Sequence, residues 1–306
     1  MRMIKDDAVS LRTGLMLGAT VLFTYMLMVM GTFVTSTGSG LACPDWPLCY
    51  GTVAPPLHLS IWFEWGHRLL GGITGLFVVL STILVWRNYK GVPRVLTSIV
   101  LALLAFGVVL GGVIVIMEAP VLTSLTHLLV ISSHLIIATL VLCCLVFTLG
   151  YVFKSRAGSI GAHYKLLFGA VYLQVLLGII VRYSQATLAC TDFPLCNGAV
   201  IPAFDNYQVA LHFVHRLGAL MIFAISASLL YRALRDRSDV KGFAVAFVLV
   251  LMQAFFGIMI VKTQMFLPVI ILHGATGFLL LGFLAYRSFS SIFISAGLNS
   301  AERGVQ

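Results

Sequence analysis

Four histidines, His67, His127, His215 and His273, stand inside long apolar runs of the chain. Ionisable side chains are costly at membrane depth, so each is a candidate for function. They fall into two couples. His67-Arg68 follows Cys43-Pro-Asp-Trp-Pro-Leu-Cys49, and His215-Arg216 follows Cys190-Thr-Asp-Phe-Pro-Leu-Cys196. The cysteines repeat at an offset of 147, these histidines at 148, and His127 with His273 at 146. Two imidazoles facing each other across a helical bundle can hold a haem iron at both axial positions. A single buried histidine is more simply read as hydrogen-bonded to a neighbouring helix. Four at matching depth in a duplicated chain favour ligation. A zinc site would need cysteine or carboxylate ligands at that depth, and these are scarce. His134, two turns beyond His127, reads as a core polar contact, and His58 and His163 as loop or interface residues.

Glu64 is one of only ten acidic residues and lies three before His67, on the same helix face. Two readings stand. It is a carboxylate favoured by the dipole at a helix start, or a carboxylate placed beside a reacting haem. The second copy has His212 there, which makes the first copy the reacting half. Each loop pair, Cys43 with Cys49 and Cys190 with Cys196, can close a short disulfide ring. For the second pair the reading is a staple. For the first, a staple and a relay by disulfide exchange both stand. Cys143 and Cys144 read as packing residues within a helix.

The elements that must position these residues are membrane helices. The chain has 306 residues, 60% hydrophobic and only 9% charged, where soluble domains carry about 25% charged residues. Eight apolar runs are long enough to span a bilayer: 14–36, 62–86, 94–117, 121–151, 162–184, 208–231, 242–262 and 267–287. The first is of span length and no cleavage site ends it, so it reads as a helix and not a signal peptide. Helices satisfy their own backbone, which makes the fold class all-α.

The net charge of +9 is spread over short loops, which excludes a nucleic-acid partner and leaves topology as its reason. Arg2, Lys5, Arg12, Arg87, Lys90, Arg94, Lys154, Arg156, Lys165, Arg232, Arg235, Arg237, Lys241, Arg287 and Arg303 share one side, fifteen of nineteen basic residues. The expected localisation is the cytoplasmic membrane, multi-pass, with both termini inside and both cysteine loops on the outer face. Four helices per copy give both copies the same orientation, hence a parallel repeat of two four-helix bundles. The expected division is 1–156 and 157–306, joined around Phe153 to Gly161. Gly71 with Gly75 and Gly107 with Gly111 allow close approach, between helices or against a flat ligand.

Taken together, Thr37-Gly-Ser-Gly before Cys43, Trp46-Pro47, Glu64-x-x-His67-Arg68, His127, His215-Arg216 and His273 resemble the haem A synthase family, over nearly the whole chain. The paired loop cysteines look like its bacterial type. The resemblance implies oxidation of the C8 methyl of haem O to a formyl group by successive hydroxylations, giving haem A for cytochrome oxidases. It implies a resident haem b on His215 and His273, and the substrate haem O on His67 and His127. It implies catalytic roles for Glu64, which would stabilise positive charge at the methyl carbon, and for Cys43 and Cys49. Implied partners are haem O synthase, cytochrome oxidase assembly factors, an unidentified electron carrier and membrane lipid; a homo-oligomer stays open. The competing readings are a dihaem electron-transfer cytochrome, a membrane thiol:quinone oxidoreductase and, fitting less well, a transporter.

Overall fold

The computed structural model describes the backbone of residues 2–117, 125–153 and 161–302, and the side chains of 9–117, 125–153 and 161–289. The expected junction falls on 154–160, so it lies outside the described residues, as do the side chains of Arg2, Lys5, Lys154, Arg156 and Arg303. Among the described residues the chain forms eight α-helices: α1 Arg2–Ser36, α2 Leu59–Asn88, α3 Val92–Ile116, α4 Leu125–Val152, α5 Gly161–Tyr183, α6 Tyr207–Asp236, α7 Val240–Lys262 and α8 Leu267–Glu302. All eight are long and apolar enough to cross a membrane. The protein is an all-α integral membrane protein.

Packing follows the duplication. α1, α2, α3 and α4 close a ring in which each helix touches the next and α4 returns to α1; α5 to α8 do the same. The rings meet where α8 packs on α1 and α4, and α4 also touches α5. α4 is therefore the central helix, with 56% of its span buried against 22% to 33% for the other seven. The main apolar core lies at this junction and includes Met28, Leu142, Val146, Leu167, Leu281 and Leu284. Threonine hydroxyls supply polar contacts within it without leaving unpaired donors. Thr20 bonds both its own helix and Ser81 of α2, at 2.8 and 2.7 Å.

Two ends of the bundle differ in chemistry. At one end Tyr164 on α5 donates to Asp239 at 2.6 Å, Arg287 of α8 pairs with the same carboxylate, and the Arg287 guanidinium lies 4.8 Å from the Tyr164 ring. At the other end sit the two cysteine loops.

Candidate functional site

Each cysteine loop is built twice by the same local rules. Cys49 pairs with Thr52, and Cys196 with Ala199, across two-residue turns. The turn residues Tyr50-Gly51 and Asn197-Gly198 all have positive φ, the conformation a tight hairpin of this hand needs. A carboxylate caps each turn. Asp45 accepts from Tyr50 and Gly51 N–H at 2.6 and 2.7 Å, and Asp192 from Asn197 and Gly198 N–H at 2.6 and 2.9 Å. These backbone donors, that of Gly51 or Gly198 first, hold both carboxyls below the usual carboxylate range. The disulfides Cys43–Cys49 and Cys190–Cys196 close beneath, and all four cysteines are buried.

An arginine ties each loop to its helix. Arg68 donates to the carbonyls of Asp45 and Leu48, and Arg216 to those of Asp192 and Leu195 at 2.8 Å each. Behind the arginine stands the residue that differs. Glu64 is 3% exposed; its carboxylate accepts from Cys43 N–H at 2.7 Å and pairs with Arg68 at 2.5 Å. His212 fills the same slot, with Nδ1 3.1 Å from Cys190 N and Nε2 3.2 Å from Arg216 Nε. A neutral imidazole has one lone-pair nitrogen, so only one of these two contacts is a hydrogen bond. The slot holds an ion pair in the first half and a neutral ring in the second.

The reading of Glu64 as a charge at a helix start is corrected. α2 begins at Leu59, five residues earlier, and its first turn has no acidic residue. Arg68 and the Cys43 N–H hold the carboxylate, not the free N–H groups of the helix terminus.

The histidines lie against glycines. The Cε1 atom of His67 is 3.2 Å from where a Cβ on Gly31 would sit, that of His215 3.2 Å from Gly178, and that of His273 3.4 Å from Gly257. Any larger residue at these positions would push into the ring. The rings thus stand in slots on α1, α5 and α7. Gln174 approaches His215 at Nδ1 (3.1 Å) and at its carbonyl oxygen (2.7 Å), and Gln253 bonds the carbonyl oxygen of His273 at 2.7 Å. Nδ1 of His67 and of His273 is buried without a hydrogen-bond partner among the described residues. Buried polar atoms rarely stay unpaired, and a free imidazole nitrogen suits a metal. The residues present therefore fit a haem held by histidines.

His215 and His273 interact electrostatically. In the first half His134 interacts electrostatically with His67. His134 makes the core polar contact expected of it. Its Nδ1 lies 2.9 Å from the carbonyl oxygen of Gly107, and its ring against Gly111. The signal available in the sequence was the Gly107, Gly111 pair, which marks a slot without saying which ring fills it. His127 lies half-buried at the outer end of the described part of α4. Trp46 was legible only by resemblance; its ring comes within 3.1 Å of a Cβ built on Gly112 and seats the first loop on α3.

Comparison with known proteins bears on the same residues. The sequence profile of the family described as cytochrome oxidase assembly protein (COX15-CtaA) matches residues 14–285. A protein named heme A synthase from Bacillus mycoides (strain KBAB4) is 32% identical, over 83% of this chain and 85% of its own. Proteins of the same name from Bacillus cereus (strain 03BB102) and Bacillus anthracis (strain A0248) are similar to the same degree and coverage. The match spans both loops, both arginine anchors and all the histidines in their glycine slots, and the chain belongs to the COX15-CtaA family of cytochrome oxidase assembly proteins.

Proposed function

We propose that the chain is a haem A synthase, which oxidises the C8 methyl of haem O to a formyl group. The observation that carries this reading is the single charged difference between two otherwise matching sites, Glu64 against His212, in a chain of this family. Two equal electron-transfer sites would have no use for it.

In this reading the second half holds a resident haem b. His215 and His273 supply its axial nitrogens, and Gln174 and Gln253 fix the backbone from which those rings project. Bound there, haem b supplies one-electron redox chemistry. The first half takes haem O as substrate, with His67 on α2 and a histidine on α4, by the duplication His127, as donors. Glu64 lies one turn before His67 and is paired there with Arg68. A carboxylate fixed in a water-poor site stabilises positive charge developing on a nearby carbon far better than solvent does. The Cys43–Cys49 disulfide lies over that carboxylate, tied to it through the Cys43 N–H, so opening it would loosen Glu64. The outer face of the cytoplasmic membrane is where this reading puts both loops, and both termini lie inside.

The test is the haem content of the purified protein before and after incubation with haem O. Haem b together with newly formed haem A is the expected result. Haem b alone, with haem O recovered unchanged, would identify an electron-transfer cytochrome instead.

A further inference from the structure

We propose that the groove beside Arg94, at the loop-free end of the first half, binds one anionic phospholipid, its phosphate on the Arg94 guanidinium and an acyl chain along α3. The proposal does not rest on the haem readings above.

Two helix ends build the groove. Trp86 stands in the last turn of α2, Gly91 turns the chain at φ 70°, and Arg94, Ser98 and Ala102 follow one another along one face of α3. The cavity between them has a volume of about 530 Å3. From Gly91 to Ala102 the chain rises about 16 Å, close to the roughly 15 Å of hydrocarbon in one leaflet. The groove therefore runs from headgroup level into the apolar layer.

Its walls are apolar except at the mouth. Ser98 Oγ donates back to the Arg94 carbonyl at 2.9 Å and so keeps its proton from the groove. Arg94 is the exception. Its Nε donates to the Tyr89 carbonyl, and its guanidinium carbon lies 5.6 Å from the centre of the Trp86 ring. These contacts fix the plane of the group and use one of the five N–H donors a guanidinium has. Among the described residues no carboxylate pairs with it. An arginine held still at the head of an apolar groove matches a ligand with an oxyanion at one end and hydrocarbon at the other.

The surrounding charge selects the lipid. Arg87 and Lys90 precede Arg94 closely, and no acidic residue occurs between Glu64 and Glu118. A choline headgroup would bring its own cation among these three. A glycerol headgroup leaves the phosphate charge alone. Counting by the duplication, Leu234 and Val240 stand where Trp86 and Arg94 do, so the second half lacks this pair.

The experiment places the full chain in nanodiscs of phosphatidylcholine with a minor fraction of phosphatidylglycerol, and identifies retained lipid by native mass spectrometry. One phosphatidylglycerol should stay bound in preference to phosphatidylcholine. Arg94→Gln should weaken that retention at least about fivefold, the worth of one cation against an anionic lipid. Arg87→Gln removes the same charge outside the groove and should keep the lipid. Ala102→Phe keeps every charge but fills the groove, and should lose the lipid. A second readout needs no equal stability among variants: adding phosphatidylglycerol should raise the unfolding temperature of the unaltered chain and leave that of Arg94→Gln where it was. Equal loss from Arg94→Gln and Arg87→Gln would mean attraction to a charged surface only, and would overturn the site. No preference for phosphatidylglycerol in the unaltered chain, or full retention by Ala102→Phe, would do the same. Displacement of the lipid by excess inorganic phosphate would make Arg94 a site for free anions and overturn the lipid assignment.

Discussion

Glu64 and His212 do the same mechanical task with different charge. A carboxylate has lone pairs enough to take the Cys43 N–H and Arg68 together, where an imidazole has one. Glu64→Ala should therefore have two separable effects. Loss of the buried acceptor should cost about 1–3 kcal/mol of stability, and conversion of haem O should fall about 10²- to 10³-fold, as when a preorganised electrostatic group is removed from an active site. Glu64→Gln keeps an acceptor for Cys43 N–H but turns an NH2 toward Arg68 and carries no charge, so it should unfold between wild type and Glu64→Ala and turn over like Glu64→Ala. His212→Ala should lower turnover less than Glu64→Ala. Thermal unfolding and haem extraction read the two effects. An undiminished rate of haem A formation by Glu64→Ala would remove the residue from the chemistry. In the second half, His215→Ala or His273→Ala should abolish the six-coordinate haem b spectrum, and its survival in both variants would move haem b elsewhere. The slot, the loop and the arginine anchor were legible because they recur as a motif. That the carboxylate is held by Arg68 and a loop amide was not, because α2 starts at Leu59 with His58 as an N-cap whose side chain makes no capping bond to the helix backbone, and so sends no start signal.

At the scale of the element, the helices were legible and their rotation and depth were not. A run that is apolar on every side gives its length away but not its rotation or depth, since no polar face tells one side from another. In a bilayer, small residues and a few polar contacts decide instead. The second half shows such a contact at its loop-free end, where Tyr164, Asp239 and Arg287 join α5, the start of α7 and α8. The first half has Leu17 and Val141 at the positions matching Tyr164 and Arg287. Asp239→Ala should remove the carboxylate that Tyr164 and Arg287 share and cost about 1–3 kcal/mol, seen as a lower unfolding temperature in detergent with haem b lost in the same transition. A change confined to haem O turnover would argue against this assignment. The loops respond to acid in a defined direction. The folded-state value of Asp45 lies below the ordinary 3.8, so its anchoring of the turn is complete above that pH and is lost as pH falls through the folded value. Limited proteolysis of the loop should be flat from pH 8 to about 5 and rise only in stronger acid; a rise near neutrality would mean another group controls it.

Over the whole molecule, the two rings present their disulfide loops at the same end, and the basic residues gather at the other. Arg87, Lys90, Arg94, Lys165, Arg232, Arg235, Arg237, Lys241 and Arg287 lie at or near the helix ends away from the loops. Lys and Arg are retained on the cytoplasmic side, which supports the proposed orientation with the loops outward, where thiols oxidise. One experiment tests charge, sidedness and pairing at once. In right-side-out vesicles a membrane-impermeant maleimide should add nothing before reduction, because Cys43, Cys49, Cys190 and Cys196 are paired. After an impermeant reductant it should add to those four. Cys143 and Cys144 should stay unlabelled, since they lie within α4, the most enclosed helix. Labelling only in inverted vesicles would reverse the topology and place Glu64 and its loop on the cytoplasmic side. Labelling of all four before reduction would keep the topology but open both rings. The first loop should also reduce with a consequence the second lacks. The Cys43 N–H is a direct partner of Glu64, so freeing that loop should lower haem O conversion while the haem b spectrum persists, and Cys190→Ser with Cys196→Ser should leave conversion closer to wild type than Cys43→Ser with Cys49→Ser.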